Sequence, residues 1–280
     1  MNIVQPKRRG FTSIELLTVG CVALVLTALA MPSLLQARQA ARSNRCTNNL
    51  KQLGIALHNY HDVYAKFAGG WYARTEKAAE GPFWGWQYSI LPYVEEAPLF
   101  SRLDSTEPVP EPNDLVTKRI EVYICPANLE GVVNDVRGGY GVSFYSGNHG
   151  NERLPGTGDT PQQANGIFYW NSSIQLAEIV DGLSKTLMVG ERGLDSAASI
   201  WPGVRANQHE NDAVTDCSDH ARINSDITAF SSTHGEAAYF LMCDGAVRFI
   251  NQAMESRPAG GPLGTYQKLS QRDDRQPVGF

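Results

Sequence analysis

Histidine, cysteine and serine are the residues of this sequence that could act as bases, nucleophiles or metal ligands. The six histidines are scattered, and no serine lies in a G-x-S-x-G elbow. Asp219 and His220 follow Cys217 closely and could bind a metal, but their spacing fits no closed zinc pattern. Isolated polar residues usually serve turns and satisfied hydrogen bonds, so we expect no enzymatic activity.

Five cysteines occur, and none forms a C-x-x-C pair of the kind found in zinc and redox motifs. Cys21 falls in an apolar segment. The other four are disulfide candidates if this part of the chain is exported to an oxidising compartment: Cys46, Cys125, Cys217 and Cys243. The sequence does not choose among their pairings, and buried free thiols are the alternative.

Three acidic residues could contribute oxygens to a calcium site: Asp181, Glu191 and Asp244. Calcium takes about six to eight oxygen ligands. However, Asp181 and Asp244 each precede a glycine, Gly182 and Gly245, as is usual in tight turns. The turn explanation ranks first, so we expect no bound cofactor and consider calcium only as the alternative.

Glu15 is the acid that turn geometry does not explain, because it is the one charge between Phe11 and Met31. At ~1.5 Å per residue this apolar segment forms a helix about 31 Å long, enough to cross one hydrocarbon core. A carboxylate there costs ~2.5–3.5 kcal/mol to insert, which predicts a function and a cationic partner. Cleavage between Gly10 and Phe11 would create a charged α-amino group on Phe11. Glu15 of one subunit could then pair with the Phe11 amine of a neighbour.

The elements around Glu15 follow from charge and periodicity. The basic cluster at residues 7–9 should hold the N-terminus in the cytoplasm, although Arg38, Arg42 and Arg45 also follow the segment closely. Beyond Pro32 the sequence stays helical, with one apolar stripe every three or four residues: Leu50, Leu53, Leu57 and Tyr60. We therefore predict a leader at residues 1–10, a transmembrane helix at 11–31, its amphipathic continuation at 32–60 and a head at 61–280.

The head is predicted to be rich in β-structure, which makes the chain an α+β protein with a long N-terminal helix. Aromatic and β-branched runs broken by Gly, Pro and Asn predict strands at 118–125 and 186–191. Residues 174–180 predict one or two helical turns, and residues 138–166 predict irregular chain with short strands at most. A hairpin is predicted from 237–243 and 246–250, joined by Asp244-Gly245.

The segment RRG-FTSIE resembles the type III signal of type IV prepilins and type II secretion pseudopilins. It has the basic leader, the glycine before the cut, phenylalanine at the first mature position and glutamate at the fifth. Pro32 matches a helix-kinking proline common in pilins. The resemblance implies a prepilin peptidase that cleaves between Gly10 and Phe11 and methylates the Phe11 amine. It also implies other pilin-like subunits, an assembly platform and membrane lipid as partners.

Head segments resemble the DUF1559 proteins, a pilin-like family abundant in planctomycetes. The matching segments are CTNNLKQLGIALHNYHD, the Cys125-Pro126 step, DGLSKTLMVGE and an H-x9-DG pattern near the C-terminus. The family signature then falls on Asp181, Gly182, Ser184, Glu191, His234, Asp244 and Gly245. Ser184 is interpreted as a turn residue that bonds backbone amides near Asp181. The resemblance implies a pseudopilin-like fold and no known activity.

These patterns together predict a structural subunit of a type IV pilus-like or type II secretion pseudopilus filament, inserted in the cytoplasmic membrane with its head outside the cytoplasm. The net charge of −5 gives no case for nucleic-acid binding. The alternative is a secreted or anchored binding domain that does not polymerise. Ala28-Leu29-Ala30 has the form of a signal-peptidase site, which would release the domain. A plain signal anchor is the third interpretation of the apolar segment. Among the possible functions, an enzyme ranks last.

Overall fold

The computed structural model describes residues 12–74, 81–127, 133–154, 163–193, 197–205, 210–256, 258 and 261–276. The cleavage-site residues Gly10 and Phe11 lie outside these ranges. Contacts divide the chain into two compact units, Met1–Arg42 and Ser43–Phe280. The first helix contributes residues to both units.

Helix α1 runs from Ser13 to Tyr64 and continues through Pro32. It therefore ends four residues beyond the predicted end at residue 60. Within the first unit, every large apolar side chain from Ile14 to Leu35 is at least 57% exposed. Among the described residues, α1 is the one helix that is long and apolar enough to cross a membrane. An apolar surface on all sides of a helix needs lipid or other protein around it.

The part of α1 that belongs to the second unit buries the predicted leucine stripe. Leu50, Leu53 and Leu57 are fully buried, and Tyr60 packs against the same core. A side chain on Gly54 would place its Cβ 2.9 Å from the buried Leu241 side chain. Gly54 thus allows the helix to approach the head closely.

In the part of the head that the structure describes, eight short strands are combined with three further helices. The strands are β1 (Val133–Asn134), β2 (Tyr140–Ser143), β3 (Tyr145–Gly150), β4 (Leu187–Glu191), β5 (Ser199–Ile200), β6 (Val214–Asp216), β7 (Ala237–Met242) and β8 (Val247–Asn251). The helices are α2 (Trp86–Ser89), α3 (Ala97–Phe100) and α4 (Thr265–Ser270). Short 3-10 turns occupy Leu91–Tyr93, Glu121–Tyr123, Asp135–Arg137, Leu176–Glu178, Leu183–Lys185 and Glu210–Asp212.

The main sheet has the strand order β6-β3-β4-β7-β8, and a small sheet has the order β1-β2-β5. In the main sheet β3 and β6 are parallel and the other neighbours are antiparallel. Alternate residues of β7 face opposite sides because side chains alternate along a strand. Leu241 joins the core that contains α1, whereas Ala238, Phe240 and Met242 join a second core with Tyr266 and Leu269 of α4. The sheet is therefore covered on both faces.

Most of the predicted head elements are confirmed. The hairpin forms, with Leu241 opposite Val247, and its connection is wider than the predicted Asp-Gly pair because the strands end at Met242 and start at Val247. The strand predicted at 118–125 is wrong. Its centre is a 3-10 turn in which the N–H groups of Tyr123 and Ile124 donate to the carbonyls of Ile120 and Glu121. Apolar side chains are buried there by a local turn, not by sheet pairing.

Candidate functional site

The start of α1 contains a capping arrangement built by Thr12 and Glu15. The backbone N–H and the hydroxyl of Thr12 both donate to Glu15 Oε2, at 2.8 and 2.9 Å. The Glu15 N–H donates back to the Thr12 hydroxyl at 3.4 Å. This is a capping box, in which two residues at a helix start satisfy each other's free donors. Glu15 therefore has partners in its own chain, but none of these partners carries a positive charge.

A second site lies inside the head, where Cys46, Cys125, Glu191 and His234 meet. Their donor atoms all lie within 4.8 Å of one another, and we call them the four-residue cluster. Among the described residues this is the group of metal-ligating side chains that the fold brings together. Sequence reasoning named each of the four separately but did not predict the group, because their positions follow no motif spacing.

Two different elements hold the cysteines of the cluster. Cys46 lies on α1, and its carbonyl accepts a hydrogen bond from the Tyr145 hydroxyl of β3 at 3.3 Å. Cys125 follows the 3-10 turn Glu121–Tyr123, and the Asn49 amide of α1 donates to the neighbouring Ile124 carbonyl at 2.8 Å. The two cysteines form a disulfide with a Cα–Cα distance of 5.1 Å across a sequence separation of 79 residues. The bond ties α1 to the head.

Glu191 and His234 complete the cluster from the sheet. Glu191 ends β4 and lies beside Cys46, so it is on the side of the sheet that carries α1. The Tyr239 N–H of β7 donates to Glu191 Oε2 at 3.0 Å, and the Tyr239 ring packs edge-on to the His234 ring. Glu191 Oε1 lies 3.6 Å from Cys125 Sγ and 3.7 Å from His234 Nε2. His234 Nε2 is in turn 3.7 Å from Cys125 Sγ.

Burial dominates the electrostatics of the four-residue cluster. Cys46, Cys125 and Glu191 are at most 2% exposed. Burial raises the pKa of Glu191 to about 7, although hydrogen bonds from the Tyr239 N–H and the Ser232 side chain oppose this shift. Burial also lowers the pKa of His234, so the imidazole is neutral at neutral pH. The site therefore holds a buried carboxyl group beside a neutral imidazole.

The raised pKa of Glu191 predicts that its charge destabilises the head as the pH rises. A carboxyl whose pKa is higher in the folded chain than in the unfolded chain binds its proton more tightly when folded. Its stabilising contribution is complete below pH ~4.5 and is lost as the pH rises through about 7. Relative to Glu191→Gln, the wild-type free energy of unfolding should fall by up to about 3 kcal/mol between pH 4.5 and 8.

This prediction is checked by urea unfolding of the oxidised wild-type and Glu191→Gln chains across that pH range. Glu236→Gln, which removes an exposed charge from the nearby loop, controls for the change in net charge. A difference between wild type and Glu191→Gln that stays constant with pH would contradict the assignment.

The remaining cysteines and the calcium candidates do not join the cluster, apart from Glu191. Of the four candidate cysteines, Cys217 and Cys243 are buried free thiols, and burial raises the pKa of both. Asp181, Glu191 and Asp244, the residues of the alternative calcium site, have different surroundings in the structure. Glu191 lies in the four-residue cluster, Asp181 accepts from an N–H group of the C-terminal segment, and Asp244 accepts from an N–H group of its own turn.

The other signature residues build two turns. The Asp181 carboxylate accepts hydrogen bonds from the N–H groups of Asp274 and Arg275, so it holds the C-terminal segment. The Asp244 carboxylate accepts from the Ala246 N–H at 2.8 Å. Gly182 and Gly245 have φ values of 101° and 84°, which favour glycine. Ser184 is exposed in the 3-10 turn Leu183–Lys185, and the hydroxyl that bonds this turn is that of Thr186, donating to the Gly182 carbonyl.

The long N-terminal helix, apolar at its start and packed on a β-rich head further along, places the chain in the α+β class with a pilin-like fold. The family model described as "Protein of unknown function (DUF1559)" matches residues 35–257. The chain therefore belongs to the DUF1559 family, as the head motifs indicated. The match begins after the apolar segment, so it covers the head but not the cleavage signal. Comparison with curated proteins and with solved structures gave no match.

Proposed function

We propose that this chain is a structural subunit of a pilus-like or pseudopilus-like filament, without enzymatic activity. It is inserted in the cytoplasmic membrane with its N-terminus in the cytoplasm and cleaved by prepilin peptidase between Gly10 and Phe11. The Phe11 amine is methylated, and the subunit then passes through an assembly platform into the filament. The head lies outside the cytoplasm in both states.

The observation that carries this proposal is the exposed apolar surface of α1 around a single carboxylate. Side chains from Ile14 to Leu35 are exposed on every side of the helix, so lipid surrounds them before assembly and neighbouring helices surround them afterwards. DUF1559 membership and the pilin-like α+β fold support the same class of protein.

Glu15 supports assembly more specifically than membrane anchoring. A plain anchor gains nothing from a carboxylate that costs ~2.5–3.5 kcal/mol to insert. The capping box accounts for one carboxylate oxygen, Oε2, and among the described residues it brings no cation to the charge. A neighbouring Phe11 amine supplies that cation and fixes the axial position of one helix against the next.

The second candidate function is an exported domain that never polymerises, either released after Ala30 or held by an uncleaved anchor. The small-x-small pattern Ala28-Leu29-Ala30 is the observation in its favour. The two functions differ in the N-terminus of the mature chain. Mass spectrometry of the native protein should give a chain that begins at Phe11, whereas a start at Met31 or an uncut leader supports the alternative.

A further inference from the structure

We propose that the four-residue cluster is a metal site, occupied by Zn²⁺ or a similar divalent ion when Cys46 and Cys125 are reduced. The disulfide form and the metal form are then two exclusive states of the same site. The proposal concerns the head alone and does not depend on filament assembly.

The first argument is that the disulfide does not need its two polar neighbours. A buried disulfide is apolar and packs well among aliphatic side chains. Here a carboxylate oxygen and an imidazole nitrogen both point at Cys125 Sγ, at 3.6 and 3.7 Å. Glu191 Oε2 accepts a hydrogen bond from the Tyr239 N–H, whereas Oε1 faces both Cys125 Sγ and His234 Nε2. Binding of one divalent cation by all four side chains would explain why they meet at this point.

The second argument is the geometry of the donor atoms. A tetrahedral zinc site has metal–ligand distances of ~2.0–2.3 Å, which place its ligand atoms roughly 3.3–3.8 Å apart. The three separations among Cys125 Sγ, Glu191 Oε1 and His234 Nε2 are 3.6, 3.7 and 3.7 Å. These atoms already form one face of such a tetrahedron. Reduction frees Cys46 Sγ to move away from Cys125 Sγ and take the fourth corner.

The third argument is the chemistry of the donor set and its access to solvent. Two thiolates and an imidazole select zinc or a similar borderline-soft ion over Ca²⁺ and Mg²⁺, which prefer oxygen ligands. The side chain of His234 is 7% exposed and that of Glu191 3%. His234 is followed by Gly235 and Glu236, both exposed. An ion can therefore enter beside His234, in the segment just before β7.

The exchange between the two states balances in protons and electrons. A dithiol reductant attacks the Cys46–Cys125 bond, passes through a mixed disulfide and leaves as its own cyclic disulfide, which returns both cysteines to thiols. The metal ion then displaces the two thiol protons, and the Glu191 proton where that group is protonated, and binds two thiolates, the Glu191 carboxylate and neutral His234. Oxidation by a disulfide of sufficient potential reverses the sequence and expels the ion.

The test uses the full-length chain in detergent, with Cys21→Ser to remove the exposed thiol of the apolar helix. The reduced chain is titrated anaerobically with Co²⁺, and then with Zn²⁺ in competition. We expect one Co²⁺ per chain, with the strong visible absorption of a tetrahedral ion and thiolate-to-metal charge-transfer bands. The oxidised chain should bind none.

Variants separate a built site from a pair of reactive thiols. Glu191→Gln and His234→Ala should each lower the Co²⁺ affinity by at least about tenfold. Cys217→Ala, which removes a buried thiol outside the cluster, should leave it unchanged. X-ray absorption at the zinc edge should show two sulfur and two nitrogen or oxygen ligands. The proposal is overturned if the reduced chain binds no metal, or if both variants bind it as tightly as the parent while circular dichroism shows them folded.

Discussion

Replacement of Glu15 by glutamine is expected to leave the chain in the membrane and to remove it from filaments. Glutamine can still accept the hydrogen bonds of Thr12, so the start of α1 is preserved while the negative charge is lost. The Phe11 amine of the neighbouring subunit would then be left without its counter-ion in an apolar environment. Breaking one partner of a buried ion pair costs ~3–5 kcal/mol, which corresponds to a loss of about 100-fold or more in subunit incorporation.

The measurement is the amount of this chain in filaments sheared from the producing cells, relative to the amount in the membrane fraction. Thr12→Val is the matched control, because it removes the hydroxyl that donates to Glu15 while keeping the carboxylate. This control should assemble at close to wild-type levels. Equal incorporation of Glu15→Gln and wild type would show that the charge has no part in assembly.

Loss of the Cys46–Cys125 disulfide is expected to be the largest change in stability that one bond in the head can produce. A cross-link across 79 residues restricts the unfolded chain strongly, and the chain-entropy relation gives about 4–5 kcal/mol. The double variant Cys46→Ala/Cys125→Ala should therefore unfold at a much lower denaturant concentration than the oxidised wild type. Chemical denaturation of the full chain in detergent measures the difference.

Cys217→Ala is the control for the loss of a buried sulfur atom, and it should cost only about 1 kcal/mol. A thiol assay provides an independent check on the bond. Five cysteines less the two in the bond leave three thiols, so the denatured but unreduced chain should react at three cysteines. Five reactive thiols, or a double variant as stable as wild type, would contradict the pairing.

Local pattern was sufficient for the elements whose side chains repeat with a clear period. The leucine stripe at 50, 53 and 57 predicted the buried face of α1, and two β-rich runs joined by an Asp-Gly turn predicted the hairpin of β7 and β8. The strand prediction at 118–125 was wrong because a run of apolar and β-branched residues is buried equally well by a 3-10 turn. The central position of β3 was also not predicted. Its sequence, YSGNHG, is poor in aliphatic residues, and only its neighbours β4 and β6 make it a strand.

The four-residue cluster could not be predicted from the sequence because its members meet only through tertiary structure. Cys46 and Cys125 come from α1 and a turn, and Glu191 and His234 come from β4 and the segment before β7. The family motifs did identify Glu191 and His234 as residues of interest. A motif marks a position but gives no partner, and the same motifs also included Asp181 and Asp244, which serve turns. To predict that these residues lie together, one would need to know that β4 and β7 are neighbours in the sheet and which face of the sheet carries α1.

The measurement that tests the central claim most directly is mass spectrometry of the N-terminal peptide from chains recovered in sheared filaments. A peptide that begins with N-methylated Phe11 and still contains Glu15 is the predicted result. It would show that the leader is removed, that the mature chain starts with the Phe11 amine and retains Glu15, and that the processed chain is the assembled one. A chain that carries residues 1–10, or that starts behind the apolar helix at Met31, would contradict assembly through Glu15 and the Phe11 amine.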